Sequence, residues 1–368
     1  MYIYLLLIIF ISFFAVVIKI MPLSKKGKRK TFVFMSFIPL FIISAFRSEN
    51  IGNDTYKYVD LFFVVNNAND LSKIHNRYEE GYLLFNKAIY FISSNGQALL
   101  IGTSFLILSL IFLFIYRNSN NLWLSIYLFI TLMFYYFTMS GLRQAIAMSI
   151  VVCSYHFILN RKFWRFLLYI IIASLFHSIA IVMLLLYPLS FLKFNRKNII
   201  FFIASGIITL FSFDRLLYLI LNFFPKYSYY LKSEYFEAYN IANVINAFIP
   251  AMILIFGYTF KYFKASDVDE KVGNKLLANE NHFLSFIILI GTLVSFVSIE
   301  ASVIDRVYYY FSIFIIIYIP KVLNTIKEPK SRNLLTFFVV FMTFLYNLTI
   351  FLVRPEWNNV FPYYFFWD

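Results

Sequence analysis

The sequence has few of the residues from which disulfides, metal centres and nucleotide-binding loops are built. Among its 368 residues there are one cysteine, four histidines and ten glycines. The single thiol, Cys153, excludes a disulfide within the chain and a metal site made of cysteines. A P-loop, a dinucleotide-binding glycine motif, an HExxH zinc motif and a serine nucleophile elbow are all absent. Sites of these kinds are therefore not expected.

Charged residues are also scarce, and long apolar runs take their place. Hydrophobic residues make up 61% of the chain, whereas a soluble chain contains about 45–50%. Apolar runs of about 17–25 residues recur, and this length crosses a hydrocarbon layer of about 30 Å. Backbone polar groups in lipid must be satisfied within the segment, so these runs should be helices. We predict an all-α, polytopic integral membrane protein, with residues 1–368 forming a single membrane domain.

The apolar runs predict about 12 transmembrane segments, some of them short or re-entrant. The first segment lacks a basic start, so we expect a retained span and not a cleaved signal peptide. The predicted spans are residues 2–21, 31–46, 97–116, 122–138, 142–159, 166–176, 179–192, 199–213, 241–260, 283–299, 307–326 and 333–353.

The loops between these spans alternate in charge. One side carries 21 basic and 5 acidic residues, and the other carries 11 basic and 13 acidic residues. Positive charge marks the cytoplasmic side of a membrane protein. We therefore place both termini on the outer side of the membrane, with larger outer loops at 47–96 and 214–240. The net charge of +14 follows from this asymmetry, and no nucleic-acid partner is expected.

Residues 166–192 do not fit a simple count of spans. The stretch is long for one span and short for two, and both of its flanks are basic, which requires an even number of crossings. We predict two short helices that meet at residues 176–178, where irregular backbone would line a cavity. The alternative is one long tilted span, which would reverse the topology of everything after it.

The outer loops carry their own structure. Residues 79–92 place apolar side chains at positions 84, 85, 88, 89 and 92, on one helical face. This pattern predicts an amphipathic helix in the outer interface. Residues 214–240 combine tyrosines with charged residues, which suits sugar stacking or an ordinary aromatic belt.

Arginine on the outer side is uncommon and needs a reason. The outer arginines are Arg47, Arg77, Arg143, Arg215, Arg306 and Arg354. A charge at the bilayer centre costs about 2.5–3.5 kcal/mol, and a guanidinium matches phosphate oxygens bidentately. Arg143 follows a Ser140-Gly141 turn at the start of a helix, where free N–H groups favour an anion. The alternative for Arg143 is snorkelling to the lipid headgroups.

Ionisable residues near the outer side are the candidates for acid–base chemistry. His177 lies within the predicted membrane stretch 166–192, whereas His156 lies near the cytoplasmic end of its span. An ionisable residue inside the membrane is a functional candidate by default. Asp54 follows Arg47 closely, and Asp305 precedes Arg306 in a short outer turn. The alternatives are a packed histidine, a helix cap at Asp54 and a local ion pair at Asp305.

Five segments in chain order resemble one known family. They read FRSENIGNDTYKY, EEGYLLFN, SGLRQAIAMSI, LFHSIAIVMLL and DRVYYYFSIFIIIYIP, and they extend from about residue 40 to the C-terminus. This order is similar to that of the EpsG family, which belongs with the Wzy-type polymerases of O-antigen, capsule and exopolysaccharide repeat units. The family pattern rests on Arg47, Gly52, Asp54, Glu80, Gly81, Arg143, Gln144, His177 and Arg306.

The resemblance implies a membrane glycosyltransferase at the outer face. Its donor would be an undecaprenyl-diphosphate-linked repeat unit in the membrane lipids, and a chain-length regulator and a flippase are further candidate partners. The catalytic candidates are His177, Asp54, Glu80 and Asp305. The candidates for binding diphosphate or glycan are Arg47, Arg143, Gln144, Arg306, Tyr309 and Arg215.

We expect no cofactor, because arginines can stabilise a leaving diphosphate. This makes a divalent metal unnecessary without excluding one. The only close Asp-x-Asp pair, Asp267 and Asp269, lies on the predicted cytoplasmic side. An O-antigen ligase-like transferase uses the same donor and is the alternative within the enzyme class. A lipid-linked oligosaccharide flippase is the alternative outside it, although its charges should line the middle of several spans.

Overall fold

The computed structural model describes residues 2–67, 78–216, 218, 241–264 and 275–368. Of these described residues 80% are helical and none lies in a strand, which confirms the predicted all-α class. The predictions for Arg77, for most of the 214–240 loop and for the Asp267 and Asp269 pair fall outside the described residues.

Sixteen α-helices are described. They are α1 (Tyr2–Ile20), α2 (Lys25–Ala45), α3 (Thr55–Asn67), α4 (Glu80–Ile92), α5 (Gly96–Asn118), α6 (Leu122–Thr131), α7 (Phe134–Ser140), α8 (Leu142–Leu159), α9 (Phe163–Ser174), α10 (Leu186–Leu189), α11 (Arg196–Phe211), α12 (Ile241–Thr259), α13 (Lys275–Val297), α14 (Asp305–Ser312), α15 (Ile315–Asn324) and α16 (Pro329–Val353). Short 3-10 helices cover Ser178–Leu185, Tyr262–Lys264 and Ser302–Ile304.

Six segments of the described chain are long and apolar enough to cross a membrane: Tyr2–Ile20, Gly96–Asn118, Leu142–Leu159, Glu280–Val297, Asp305–Asn324 and Pro329–Val353. The bent pair α6 and α7 would make a seventh. Shorter apolar helices cover Phe163–Ser174, Ser178–Leu189 and Asn246–Thr259. The chain is therefore polytopic, as predicted, and the number of about 12 spans stays a prediction.

The predicted uninterrupted span 122–138 is broken in the structure. Helix α6 ends at Thr131, Met133 adopts a left-handed backbone with φ of 69°, and α7 starts at Phe134. The two helices meet at 54°. A left-handed residue ends the hydrogen-bond ladder of a helix, and no residue in this apolar run indicates the break to a reader of the sequence.

The described residues group into two compact units. Unit 1 comprises Met1–Tyr155, Arg165–Ile181 and Ile326–Asp368, and unit 2 comprises His156–Trp164 and Val182–Thr325. In unit 1, α5 packs against α2, α3 and α4, and α6 packs against α1 and α16. In unit 2, α13 packs against α11, α12, α14 and α15. The prediction of a single membrane domain stays a prediction.

The hairpin predicted within residues 166–192 is present. Helix α9 ends at Ser174, and the next helix starts at Ser178. A 12-residue helix advances about 18 Å, yet the Phe163 and Tyr187 rings lie 4.9 Å apart. Arg161 Nη2 also donates to the Ser190 carbonyl at 2.8 Å. The chain therefore returns to where it started, and the alternative of one long tilted span is wrong. We call Leu175–Ser178 the hairpin tip.

The C-terminal residues pair with the loop that follows α2. Ser48 donates its backbone N–H to the Tyr364 carbonyl at 3.0 Å, and Gly52 donates to Asn359 at 2.8 Å. Gly52 has a φ of +101°, and a Cβ there would collide with the Met139 carbonyl. Part of the FRSENIGND segment therefore serves to hold the C-terminus in place.

Candidate active site

Arg143 lies at the start of α8 and is paired with a carboxylate. Its guanidinium Nη1 donates to Oε2 of Glu79. The Tyr78 and Tyr58 rings lie beside the guanidinium, with centroids 4.9 and 5.9 Å from its carbon. The side chains of Arg143 and Glu79 are 22% and 19% exposed. The ion pair is therefore largely desolvated but remains reachable from outside the protein.

Glu79 also joins the hairpin tip. It precedes α4 at the capping position, but its side chain makes no capping hydrogen bond. Instead its Oε1 accepts the backbone N–H of Ser178 at 3.1 Å. Burial tends to raise the pKa of Glu79, but Arg143, the Ser178 N–H and His177 outweigh it. The pKa of Glu79 therefore lies below its ordinary value of 4.5, and the group is ionised at neutral pH.

His177 is the buried residue of the hairpin tip. It is 8% exposed, its backbone N–H donates to the Ala173 carbonyl at 3.0 Å, and its proximity helps to lower the pKa of Glu79. We call Glu79, Arg143, His177 and Ser178 the carboxylate cluster. Three separate segments of unit 1 meet there, and they place a histidine and an arginine around one anion.

The start of α4 packs tightly against the hairpin tip. A Cβ on Gly81 would lie 2.7 Å from both the Cβ and the carbonyl oxygen of Leu175. The Phe85 and Phe176 rings also meet, with centroids 6.2 Å apart. Glycine at position 81 therefore permits the close approach that brings Glu79 to Ser178.

The resemblance implies a catalytic role for Glu80, whereas the glutamate that the structure places against Arg143 is Glu79. The predicted helix over 79–92 is present as α4, but Glu80 is exposed. The buried face of α4 is formed by Tyr82, Leu83 and Asn86. Glu79 stands three and four positions before the first two of these residues and so continues the same face. That spacing was the signal in the sequence that could have identified Glu79.

Arg47 is placed differently from Arg143. It is fully buried, and its guanidinium donates to the Ser44 carbonyl, to Ser104 Oγ at 3.3 Å and to the Met139 carbonyl at 3.3 Å. Its backbone pairs with Phe365 in an antiparallel bridge. These contacts join α2, α5, α7 and the C-terminal tail, so the placement of Arg47 favours a structural role. Its predicted role as a diphosphate ligand stays a prediction.

Asp54 and Gln144 differ in exposure, since Asp54 lies at the surface and Gln144 is buried. Asp54 stands on the surface, where it accepts a hydrogen bond from Lys57 Nζ at 2.9 Å. Gln144 is the neighbour of Arg143 in the first turn of α8 and is buried. Gln144 therefore adjoins the carboxylate cluster along the chain, while Asp54 is engaged in a local surface pair.

The remaining predicted residues belong to unit 2. Asp305, Arg306 and Tyr309 lie in the first two turns of α14 and are half-buried. Arg215 follows α11 and is exposed. Their predicted roles stay predictions. Among the described residues, no group of three or more histidine, cysteine, aspartate or glutamate side chains is arranged to hold a metal ion.

The fold and this site define a class of protein. The chain is a multi-pass helical membrane protein with a largely desolvated ion pair between Arg143 and Glu79. A family model, that of the EpsG family, matches residues 30–365, and the chain belongs to that family. This confirms the resemblance seen in the sequence and makes the chain a polysaccharide-polymerase-like membrane protein of a glycosyltransferase-like family. No curated protein and no solved structure gives a significant match to the chain.

Proposed function

We propose that the protein is a polysaccharide polymerase that joins undecaprenyl-diphosphate-linked oligosaccharide repeat units. It would act at the outer face of the bacterial cytoplasmic membrane, with both termini outside. Family membership supports the reaction class. One observation carries the assignment of the site: Arg143 and the Ser178 N–H both donate to a single anion beside His177. Charge-assisted donors that converge on one anion are what a diphosphate requires.

The proposed reaction transfers the growing chain from its lipid carrier to the next repeat unit. A hydroxyl oxygen of the acceptor attacks the anomeric carbon of the donor sugar and forms the new glycosidic bond. The bond between that carbon and the diphosphate oxygen breaks, and the diphosphate leaves with the electron pair. The hydroxyl proton passes to a base. No redox partner is needed.

Arg143 is the residue best placed to stabilise the leaving diphosphate. A fixed cation aimed at the developing charge is a large source of rate enhancement in a desolvated site. A guanidinium also presents two parallel donors to phosphate oxygens, which an ammonium does not. Gln144, Arg306, Tyr309 and Arg215 are further proposed ligands of the diphosphate or the glycan.

His177 is the proposed base for the acceptor hydroxyl. It is buried in the hairpin tip next to the anion that Arg143 binds, and an imidazole takes up protons near neutral pH. General base catalysis typically contributes about 10²–10⁴-fold. Asp54, Glu80 and Asp305 are the other base candidates, and Asp54 and Glu80 are more exposed.

The test is chain growth by the purified protein with lipid-linked repeat units, measured together with donor affinity. Arg143→Lys should lose most polymerisation, because a point charge does not replace a bidentate fork. His177→Gln should lower turnover by about 10²–10⁴-fold at saturating donor and leave donor affinity intact. The matched control is Arg354→Lys, which changes a half-buried arginine that pairs with the exposed Glu356 at 3.6 Å and should keep full activity.

The possible outcomes separate the alternatives. Full polymerisation by Arg143→Lys would leave only an interfacial role for that arginine. A turnover loss below about tenfold for His177→Gln would exclude the base role. Transfer of a single chain to a different lipid acceptor, without repeat-unit growth, would identify a ligase. Transport of lipid-linked units across a vesicle membrane without bond formation would identify a flippase.

A further inference from the structure

Three features of the carboxylate cluster bear on how a donor would enter it. The first is that the two donors reach two different oxygens of Glu79: Arg143 contacts Oε2, and the Ser178 N–H contacts Oε1 at 3.1 Å. A carboxylate held through both oxygens by a guanidinium and a backbone amide presents the same pattern of acceptors as one edge of a phosphate group.

The second feature is that the carboxylate satisfies Arg143 only in part. One terminal nitrogen of the guanidinium donates to Glu79, while Arg143 Nε is buried and has no acceptor among the described residues. A buried donor without a partner costs about 1–3 kcal/mol. A diphosphate brings more oxygens and more negative charge than a carboxylate, so it can engage donors that Glu79 leaves unused.

The third feature is that Glu79 can move without breaking a helix. It precedes α4, and its side chain makes no capping hydrogen bond to that helix. The pair keeps about a fifth of its surface exposed, at 22% for Arg143 and 19% for Glu79. A ligand can therefore approach the guanidinium, and the carboxylate can rotate away towards solvent.

We propose that Glu79 occupies the diphosphate position of the donor in the resting protein and is displaced from Arg143 and Ser178 when the donor binds. The proposal rests on the proposed function, because it takes the donor to be a lipid diphosphate bound by Arg143. It adds the Ser178 N–H as a diphosphate ligand and Glu79 as an internal competitor. The cluster would then stay neutral and closed without donor, instead of exposing an unpaired guanidinium to lipid phosphates.

The sign of one change in affinity tests the proposal. Purified Glu79→Gln would be titrated with undecaprenyl diphosphate in phosphatidylcholine nanodiscs and, separately, with inorganic pyrophosphate. Removing a competing charge should tighten the binding of both ligands by about tenfold or more, since the competitor is a full charge in a desolvated site. An affinity that weakens, or that tightens by less than about threefold, would overturn the proposal and make Glu79 a residue that positions Arg143. The matched control is Glu49→Gln, which removes an exposed charge of the same outer loop.

A measurement on the unchanged protein guards against a variant that does not fold. Hydrogen exchange would be followed in peptides that cover residues 78–83 and 175–181, with and without undecaprenyl diphosphate. Displacement of Glu79 should speed exchange at 78–83, while 175–181 stays protected because the phosphate replaces the carboxylate at Ser178. Slower exchange in both peptides would show that Glu79 stays in place and would overturn the proposal.

Arg143→Gln separates failure of this inference from failure of the proposed function. If Arg143→Gln binds the diphosphate as tightly as the unchanged protein does, the assignment of the donor site is wrong. If Arg143→Gln weakens binding while Glu79→Gln fails to tighten it, the site stands and only the displacement of Glu79 is wrong.

Discussion

Arg143 donates to the Glu79 carboxylate across 64 positions of the chain and thereby joins the first turn of α8 to the start of α4. The same carboxylate accepts the N–H of Ser178, 99 positions from Glu79. The ion pair thus connects two helices of the fold. Within the described residues it is also the one salt bridge that Arg143 makes.

Gly81 should be intolerant of a side chain. A Cβ there would lie 2.7 Å from the Leu175 carbonyl oxygen, and a backbone atom has no rotamer by which to move away. Gly81→Ala should push the hairpin tip from Glu79 and destabilise the fold by about 1–3 kcal/mol. Thermal unfolding of the purified protein and donor affinity measure the effect.

Gly102→Ala is the control for that substitution. Its Cβ would meet the Cδ1 atom at the end of the Ile89 side chain, which can rotate aside. A smaller loss of stability than that of Gly81→Ala is expected. Equal losses at both positions would show that the contact between Gly81 and Leu175 has no special importance.

Arg47→Met should destabilise the protein before it affects any ligand. The substitution removes the donors to the Ser44 and Met139 carbonyls and to Ser104 Oγ, all within a fully buried site. We expect a loss of at least about 2 kcal/mol in the free energy of unfolding, measured by thermal unfolding in detergent. A variant that folds with unchanged stability but loses donor binding would instead support the ligand role that the sequence predicts.

The contribution of Glu79 to stability should depend on pH. Its pKa in the folded protein lies below the ordinary value of 4.5, so its ionised form stabilises the fold. That stabilisation is fully present above about pH 4.5 and is lost as the pH falls through the lowered pKa. The difference in unfolding temperature between the unchanged protein and Glu79→Gln should therefore be constant near neutral pH and shrink as the pH falls below the ordinary pKa of 4.5.

Glu80 provides the matched control for this pH dependence. Glu80 is exposed on the same turn, so Glu80→Gln should follow the unchanged protein across the whole range. A pH dependence altered equally by both substitutions would mean that the ion pair with Arg143 does not set it.

The topology can be tested with single cysteines in a background that carries Cys153→Ser. An impermeant thiol reagent should label cysteines at Asn67 and Ser233 in cells whose outer barrier is open. Cysteines at Ser266 and at Lys162, which is exposed near the base of the hairpin, should stay unlabelled. Labelling of Ser266 and Lys162 alone would invert the orientation and remove the case for an outer active site. Ser233 and Ser266 lie outside the described residues.

The apolar runs and the charges of the loops were enough to predict the class, the hairpin and α4. Segment length, charge asymmetry and helical spacing are properties of neighbouring residues, and the membrane restricts such segments to helices. The basic flanks of residues 166–192 required an even number of crossings, and the structure has the return of the chain that this rule demands. The predicted role of Arg143 rests on the same kind of local reason, as a charge at a helix start.

Tertiary structure decided which charges meet. Glu79 and Glu80 are chemically identical neighbours, and only the packing of Gly81 on Leu175 directs the first into the cluster and leaves the second exposed. Arg47 and Arg143 look alike as outer arginines in the sequence. The structure places Arg47 among carbonyl groups and Arg143 against the Glu79 carboxylate. The helix break at Met133 could not be predicted from the sequence either. Which charges pair depends on distances between residues that are far apart in the chain, and local sequence patterns do not give those distances. A buried charge without a partner is strongly destabilising, so the partner that the fold supplies determines what an ionised side chain does.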